Sequence, residues 1–475
     1  MSPRLRFALY VAAGCTLAVV AGVDIANEAY ALVASLALFS LWLIVRKLSA
    51  SPPDAWMLAA VVVGYVIGNR GFAQLQPAPG VPLLPAEALL LVAAPALVIR
   101  AAIGRTAAVR MDALNLSIIA WIVIGAIRLP RDMAEFGVMA LRDYATVYYA
   151  ALFFIAQEFG WEEASRSMLK SALSWSFLLL VPVVAMDIAF PEFLETHTVV
   201  RGVPLIFQKS DLVGTSLAAG FFWMWTRGQK GSRLWYAAAA ASLLLIGPQQ
   251  SPRAGMAGVA AVTLLWVCTG RWRIVLSEAG IIVCGAAAAI AFTVATSRDL
   301  KTSAPYSAYE HALSIFDPAG KGTYINEESG DPGGNNQFRL IWWRDVAEDT
   351  LATGPVLGQG FGADLATRFL ADYNLLNDEA FAARSPHSVI MTVFGRMGFL
   401  GLAAWIAISW ATASVVWKLL RAGDADALGL ASIVTVIWVS STVGVVLEGP
   451  MGAVPYWTAL GLASAQAGRP RGPDK

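Results

Sequence analysis

Three short stretches hold the side chains best placed to do chemistry. One is Ser385-Pro386-His387. Serine is a favoured helix N-cap and proline suits the first helical position, so the spacing predicts a helix start at Ser385 with His387 in its first turn. That end of a helix is electropositive; it attracts anions and disfavours a protonated imidazole. His387 would then be neutral near pH 7, as a general base or a phosphate ligand. Met391, Phe394 and Gly398 follow at i+4, i+7 and i+11, a stripe that turns the histidine's face inward. The second stretch, Ser251-Pro252-Arg253, repeats the same helix start. A cation there is unfavourable unless an anion bridges it to the helix end, and a bound diphosphate would do so. The third is Gln337–Trp343, where Arg339 and Trp343 share a helix face. Arg339 would be a second arm on an anionic leaving group.

Each has a plainer reading: a capping histidine at the water boundary, a snorkelling arginine, an arginine stacked on an aromatic. Weaker candidates are Arg201 and Lys209 in the stretch before Ser210, and the adjacent Arg142-Asp143 pair. In that pair Asp143 would neutralise a neighbouring cation. Glu448 and Asp187 are carboxylates on the same side, expected to be structural.

The elements that must position these groups follow from composition. The chain has 475 residues, 57% hydrophobic and 14% charged, with net charge +1. That is far fewer charges than a soluble domain carries, and it gives no basis for a nucleic-acid partner. Fourteen apolar runs predict an all-α polytopic membrane protein of about 12–14 spans. The first two are Phe7–Val23 and Ala29–Val45; the last are Ser388–Ala413 (one long or two-part segment), Ala427–Val446 and Val454–Ala463. Nineteen Lys and Arg fall at turns on one side and six at the short turns on the other. By the positive-inside rule both termini are cytoplasmic, and Arg253, His387 and the long polar stretch between them face outward.

The division expected is 1–200, N-terminal spans; 201–296, spans with the Arg253 turn; 297–386, a large outer loop; and 387–475, C-terminal spans. Within the loop, Phe338–Thr350 and Gly362–Tyr373 have the pattern of short amphipathic helices, and Asp317–Asn336 is Gly/Pro-rich and irregular. The runs flanking Arg253 are short. At 1.5 Å per residue neither crosses a ~30 Å hydrocarbon core, so the turn between them should be sunk below the outer surface. There is no metal-ligand spacing, disulfide framework or internal repeat.

These stretches together resemble the O-antigen ligase and Wzy-type polymerase family. Ser-Pro-His387-Ser followed by Gly395-x-x-Gly398-Phe-Leu-Gly401 is similar to its His-Asn…Gly…Gly segment. Arg339…Trp343 followed by Pro355-x-x-Gly358-x-Gly360 is similar to a segment of its large periplasmic loop. Ser251-Pro252-Arg253 resembles its Ser-Arg-Gly turn, and Arg201-Gly202 with Ser210 and Gly214 an outer-loop element before it. Three positions depart: Ser388 stands for the family's Asn, Pro252 splits the Ser-Arg pair, and Arg396 stands where an acidic residue is usual.

The resemblance implies transfer of a glycan from a polyprenyl-diphosphate carrier to a sugar hydroxyl, on the periplasmic face of a bacterial inner membrane. It would be inverting, free of metal or other cofactor, and used by a polysaccharide polymerase (favoured) or ligase. His387 would be catalytic, and Arg253, Arg339 and Arg201 would bind the diphosphate. Implied partners are the lipid-linked donor, a glycan or lipid-core acceptor, membrane lipid and other polysaccharide assembly proteins. The alternative is a lipid-linked glycan flippase or other secondary transporter.

Overall fold

The computed structural model describes residues 51–76, 83–105, 109–200, 202–296, 299–324, 332–372 and 384–469. The first two expected spans and Arg201 lie outside them. In chain order the helices are α1 (Pro53–Phe72), α2 (Pro85–Ala102), α3 (Ala113–Phe136), α4 (Val138–Asp143), α5 (Ala145–Tyr148), α6 (Ala151–Trp161), α7 (Glu163–Ala189) and α8 (Phe193–His197). They continue with α9 (Ser210–Gly228), α10 (Arg233–Leu244), α11 (Arg253–Cys268), α12 (Trp272–Ala295), α13 (Ala304–Ile315), α14 (Pro332–Thr353), α15 (Thr367–Asp372), α16 (Val389–Ala422), α17 (Ala425–Thr442) and α18 (Pro450–Ala467). Among the described residues the only strands are the two-residue antiparallel pair β1 (Val199–Val200) and β2 (Val203–Pro204).

The protein is an all-α polytopic membrane protein. Eight stretches among the described residues are long and apolar enough to cross a bilayer: α1, α2, α3, the α4–α6 run, α7, α12, α16 and α17. The shorter α10 and α11, of 12 and 16 residues, flank the Arg253 turn, and each rises less than the ~30 Å of a hydrocarbon core.

α18 sits at the centre, buried along most of its length. Small residues allow this: a Cβ added at Gly461 would lie 2.5 Å from the Phe153 carbonyl, and one at Gly160 2.5 Å from Ala465 Cβ. Where apolar surface gains nothing by leaving lipid, such close backbone approach supplies the packing that holds helices together. At the face away from His387, Asp426 in the first turn of α17 takes Lys170 (2.9 Å), Arg227 (3.2 Å) and Lys230 (2.6 Å), joining α7 and the end of α9 to α17.

Candidate functional site

The polar segment between α12 and α16 is folded against the bundle. α14 and α15 form a small core in which Trp342, Val346, Leu365, Ala366, Phe369 and Leu370 are buried, with Met391 of α16 against them. Trp342 stacks on Phe369 with ring centroids 5.0 Å apart, and its Nε1–H donates to the Leu365 carbonyl at 2.7 Å. An aromatic pair of this kind adds about 0.5–1.5 kcal/mol beyond area burial. That core fixes α14, on which Asn336, Arg339 and Trp343 follow at i, i+3 and i+7 and so share one face. The helices expected at Phe338–Thr350 and Gly362–Tyr373 are present as the longer α14 and the shorter α15; α13 was not foreseen.

His387 lies beside this face, but not in a first helical turn. α16 opens at Val389, with extended Ser388 as its cap residue. His387 itself has φ +53°, a left-handed conformation that cannot be carried into a right-handed helix. Ser385 is therefore no N-cap. Its hydroxyl instead donates to Glu448, whose other carboxylate oxygen accepts from Thr392 Oγ1 at 2.7 Å. Trp343 Nε1–H closes the turn on the Pro386 carbonyl at 2.6 Å. These bonds hold a backbone conformation that costs on the order of 1–3 kcal/mol. Burial holds the Glu448 carboxyl above its usual range, against the pull of those hydroxyls and of Arg396 and Lys209. The His387 ring is 5.6 Å from that of Trp342. Its pKa is pushed down to about 4, by burial first and then by the charges of Arg339 and Lys209. The downward shift has burial and two cations as its cause, in place of the helix terminus expected from the sequence.

The cations converge on it from three elements. Arg339 of α14 is anchored by Nη1–H to the Val443 carbonyl at 2.7 Å, past the end of α17. Its Nε is buried without a partner among the described residues. Burial lowers the guanidinium's pKa, and the charge of Asp211 opposes that. Lys209 precedes α9 and pairs with Asp211 at 3.6 Å. Arg253 is the first residue of α11, as expected, though capped by Pro252 and not by Ser251. Its Nη1–H donates to Asn336 Oδ1 at 2.7 Å, one turn along α14 from Arg339. Arg339, Lys209 and His387 are thus brought together, and Arg253 stands one helical turn away on the same face. Glu448 as the strap of the histidine turn was missed; a lone carboxylate 61 residues downstream carries no local signal of its partners.

Two broken helices place these groups. In α16, Gly398 has φ +60° and ψ −155°, which interrupts the helical ladder. Residues 355–360 fill the break: the N–H groups of Gln359 and Gly360 donate to the Gly395 and Arg396 carbonyls (2.7 and 3.1 Å), and those of Phe399 and Leu400 to Pro355 and Val356 (2.8 and 3.1 Å). The two glycine motifs of the sequence therefore meet as one joint. In α1, Asn69 breaks the helix at φ +51°. Phe207 pairs with it, its N–H donating to the Gly68 carbonyl (3.2 Å) and its carbonyl accepting from Arg70 (3.0 Å). Lys209 N–H then donates to Asn69 Oδ1 at 3.3 Å. Backbone freed inside a membrane protein must be re-bonded, and here the backbone of residues 355–360 and of Phe207 does it.

The joint at Gly398 is clamped by buried charge. Asp132 accepts from Phe361 N–H at 2.7 Å and pairs with Arg128 at 3.0 Å; Arg128 also reaches the Gly358 carbonyl at 3.0 Å. Asp143 accepts from Gly362 N–H at 3.0 Å and pairs with Arg396, whose side chain is 5% exposed. Of the Arg142-Asp143 pair, Asp143 has the structural part foreseen for it, while Arg142 is exposed. Asp143→Ala would strand the buried guanidinium. We expect a loss of about 3–5 kcal/mol, read as an earlier unfolding transition in detergent and faster proteolysis near Gly362.

Residues 249–406 match the family model described as O-Antigen ligase. The match takes in Arg253, Arg339, His387, Arg396 and both glycine motifs, and covers roughly a third of the chain. No curated protein matches the sequence.

Proposed function

We propose, for a multi-pass membrane protein whose residues 249–406 are an O-antigen ligase segment, that the outer-segment site transfers a glycan from a polyprenyl-diphosphate carrier to a sugar hydroxyl. The carrying observation is the buried His387 ring, its pKa pushed down to about 4 by burial and by the charges of Arg339 and Lys209, with an Arg339 Nε that is buried and unpartnered among the described residues. Arg339 and Lys209 stabilise the charge that grows on the diphosphate as the anomeric C–O bond breaks, and low local dielectric strengthens that effect. Arg253 holds the same group one turn along α14. The acceptor oxygen attacks the anomeric carbon from the opposite side and inverts it, and its proton passes to a ring nitrogen of His387. The diphosphate leaves with the bonding pair.

Arg201 would add to the cations from the segment before Lys209. The site faces the periplasm of a bacterial inner membrane, the termini lie in the cytoplasm, and residues 297–386 are the outer segment that covers it. Donor chemistry is common to polymerase and ligase; the acceptor, a second lipid-linked glycan or a lipid core, separates them.

The test is purified protein in nanodiscs with a lipid-linked oligosaccharide, scored for a new glycosidic bond. Arg339→Ala should lower turnover about a hundredfold or more while the protein stays folded. Unchanged turnover in that variant would remove the proposal. Carrier lipid crossing the bilayer with no bond made would point to a transporter instead.

A further inference from the structure

A second histidine sits beside the Arg253 turn, and the reaction above leaves it unused. His311 is on α13, 2% exposed, and neither ring nitrogen has a hydrogen-bond partner among the described residues. Buried imidazoles are rarely left in that state, because the lost bonds to water are replaced by nothing. Three contacts place the helix that carries the ring. Ala308, one turn earlier on the same face of α13, lies over the turn that leads into Arg253: a Cβ added at Gly247 would be 3.3 Å from Ala308 Cβ. Ser314, one turn later, gives its carbonyl to Asn336 Nδ2 at 2.9 Å. The other end of that amide accepts from Arg253 Nη1 at 2.7 Å. Asn336 therefore ties the face of α13 that carries His311 to the guanidinium of Arg253. Burial first, and then the Arg253 charge, push the imidazole's pKa down to about 4, so it is neutral and keeps one N–H to give.

We infer that His311 donates a hydrogen bond to a phosphate oxygen of the same diphosphate that Arg253 binds, making Arg253, Asn336 and His311 one phosphate subsite. Arg339 and Lys209 then serve the part of the diphosphate nearer His387. The inference rests on the proposed function. It adds a ligand from α13, a helix not foreseen from the sequence. An ordinary core histidine would look the same in burial, but it would have found a partner or been replaced without effect on binding.

The experiment uses the full chain in detergent and a soluble prenyl diphosphate as probe, with the matching prenyl alcohol as control. The chain has three histidines, so ¹⁵N-histidine labelling gives a spectrum simple enough to assign with His311→Gln. The diphosphate, and not the alcohol, should move the His311 ring signal in the unaltered protein. His311→Leu should unfold no earlier than the parent, since it removes two unbonded polar atoms, and should weaken diphosphate binding about tenfold or more. His311→Gln, which keeps an N–H donor, should recover most of that loss. An unmoved His311 signal in protein that does bind the probe overturns the inference and leaves the proposed function standing. So does equal affinity in His311→Leu. Absence of any diphosphate binding by the unaltered protein fails the functional reading itself and takes the inference with it. If His311→Leu does not fold, the ring signal of the parent still decides.

Discussion

His387→Ala is expected to lower glycan transfer by a factor of about 10²–10⁴, the range that a positioned general base supplies, with donor binding little changed. The separation matters. Arg339 and Lys209 act on charge already present in the donor, so their loss should appear in binding as well as turnover. The histidine acts only while the acceptor's proton moves. The pH profile follows from the same surroundings. With its pKa held at about 4, the imidazole is unprotonated from about pH 5 upward, so kcat/KM should be flat there as far as this group is concerned. It should fall as pH drops through about 4, where the ring takes up a proton and can no longer accept one. Stability has the same sign. His311 and His387 both carry folded-state values near 4, while in the unfolded chain each titrates near 6.5. The unfolded chain binds more protons between those values, so their contribution is complete above about 6.5 and is lost as pH falls towards 4. Transfer at the parent rate by His387→Ala would exclude the imidazole from the chemistry.

Gly398→Ala should be among the most damaging single methyls within the described residues. At φ +60° and ψ −155° the residue occupies a region closed to side chains. An added Cβ would also stand 2.5 Å from the Pro355 carbonyl and 2.6 Å from the Gly358 nitrogen. Both neighbours are backbone and cannot swing aside. Strain alone is on the order of 1–3 kcal/mol, and relief requires residues 355–360 to leave the break. We expect an earlier unfolding transition, protease cutting between α14 and α15, and loss of transfer, since α14 carries Arg339. Gly280→Ala in α12 is the control: nothing lies within 4 Å of its added Cβ, and alanine favours a helix by about 1 kcal/mol over glycine. Equal behaviour of the two variants would show that the joint does not hold the site.

Local patterns made much of this architecture readable. A helix lies at each of the twelve expected apolar runs that fall within the described residues, and eight of these are long and apolar enough to cross a bilayer. The short runs around Arg253 are the short helices α10 and α11, and periodicity found α14 from Phe338 onward. Spacing also marked His387, but for a partly mistaken reason. Ser-Pro-x looks like a helix start, yet here the serine hydroxyl is taken by Glu448 and the histidine backbone turns left-handed. What the sequence hid was pairing at long range. Asp143 and Arg396 are 253 positions apart, and Gly358 and Gly398 are separated by α15 and the histidine turn. An arginine standing where an acidic residue is usual looks like a broken site until Asp143 is seen beside it. α13 was missed because the residues it buries, Glu310, His311 and Ser314, are polar and give no apolar signal.

The break in α16 also sets how the protein can be cut and recombined. Four backbone groups of this membrane helix, the carbonyls of Gly395 and Arg396 and the N–H groups of Phe399 and Leu400, are satisfied by the backbone of residues 355–360. A chimera that swaps the segment between α12 and α16 alone would bring foreign backbone to that gap, and one that deletes it would leave four polar groups of the helix unbonded, at several kcal/mol each. The exchangeable unit is therefore neither loop nor helix. Any graft of this region must carry residues 355–360 and the first half of α16 together.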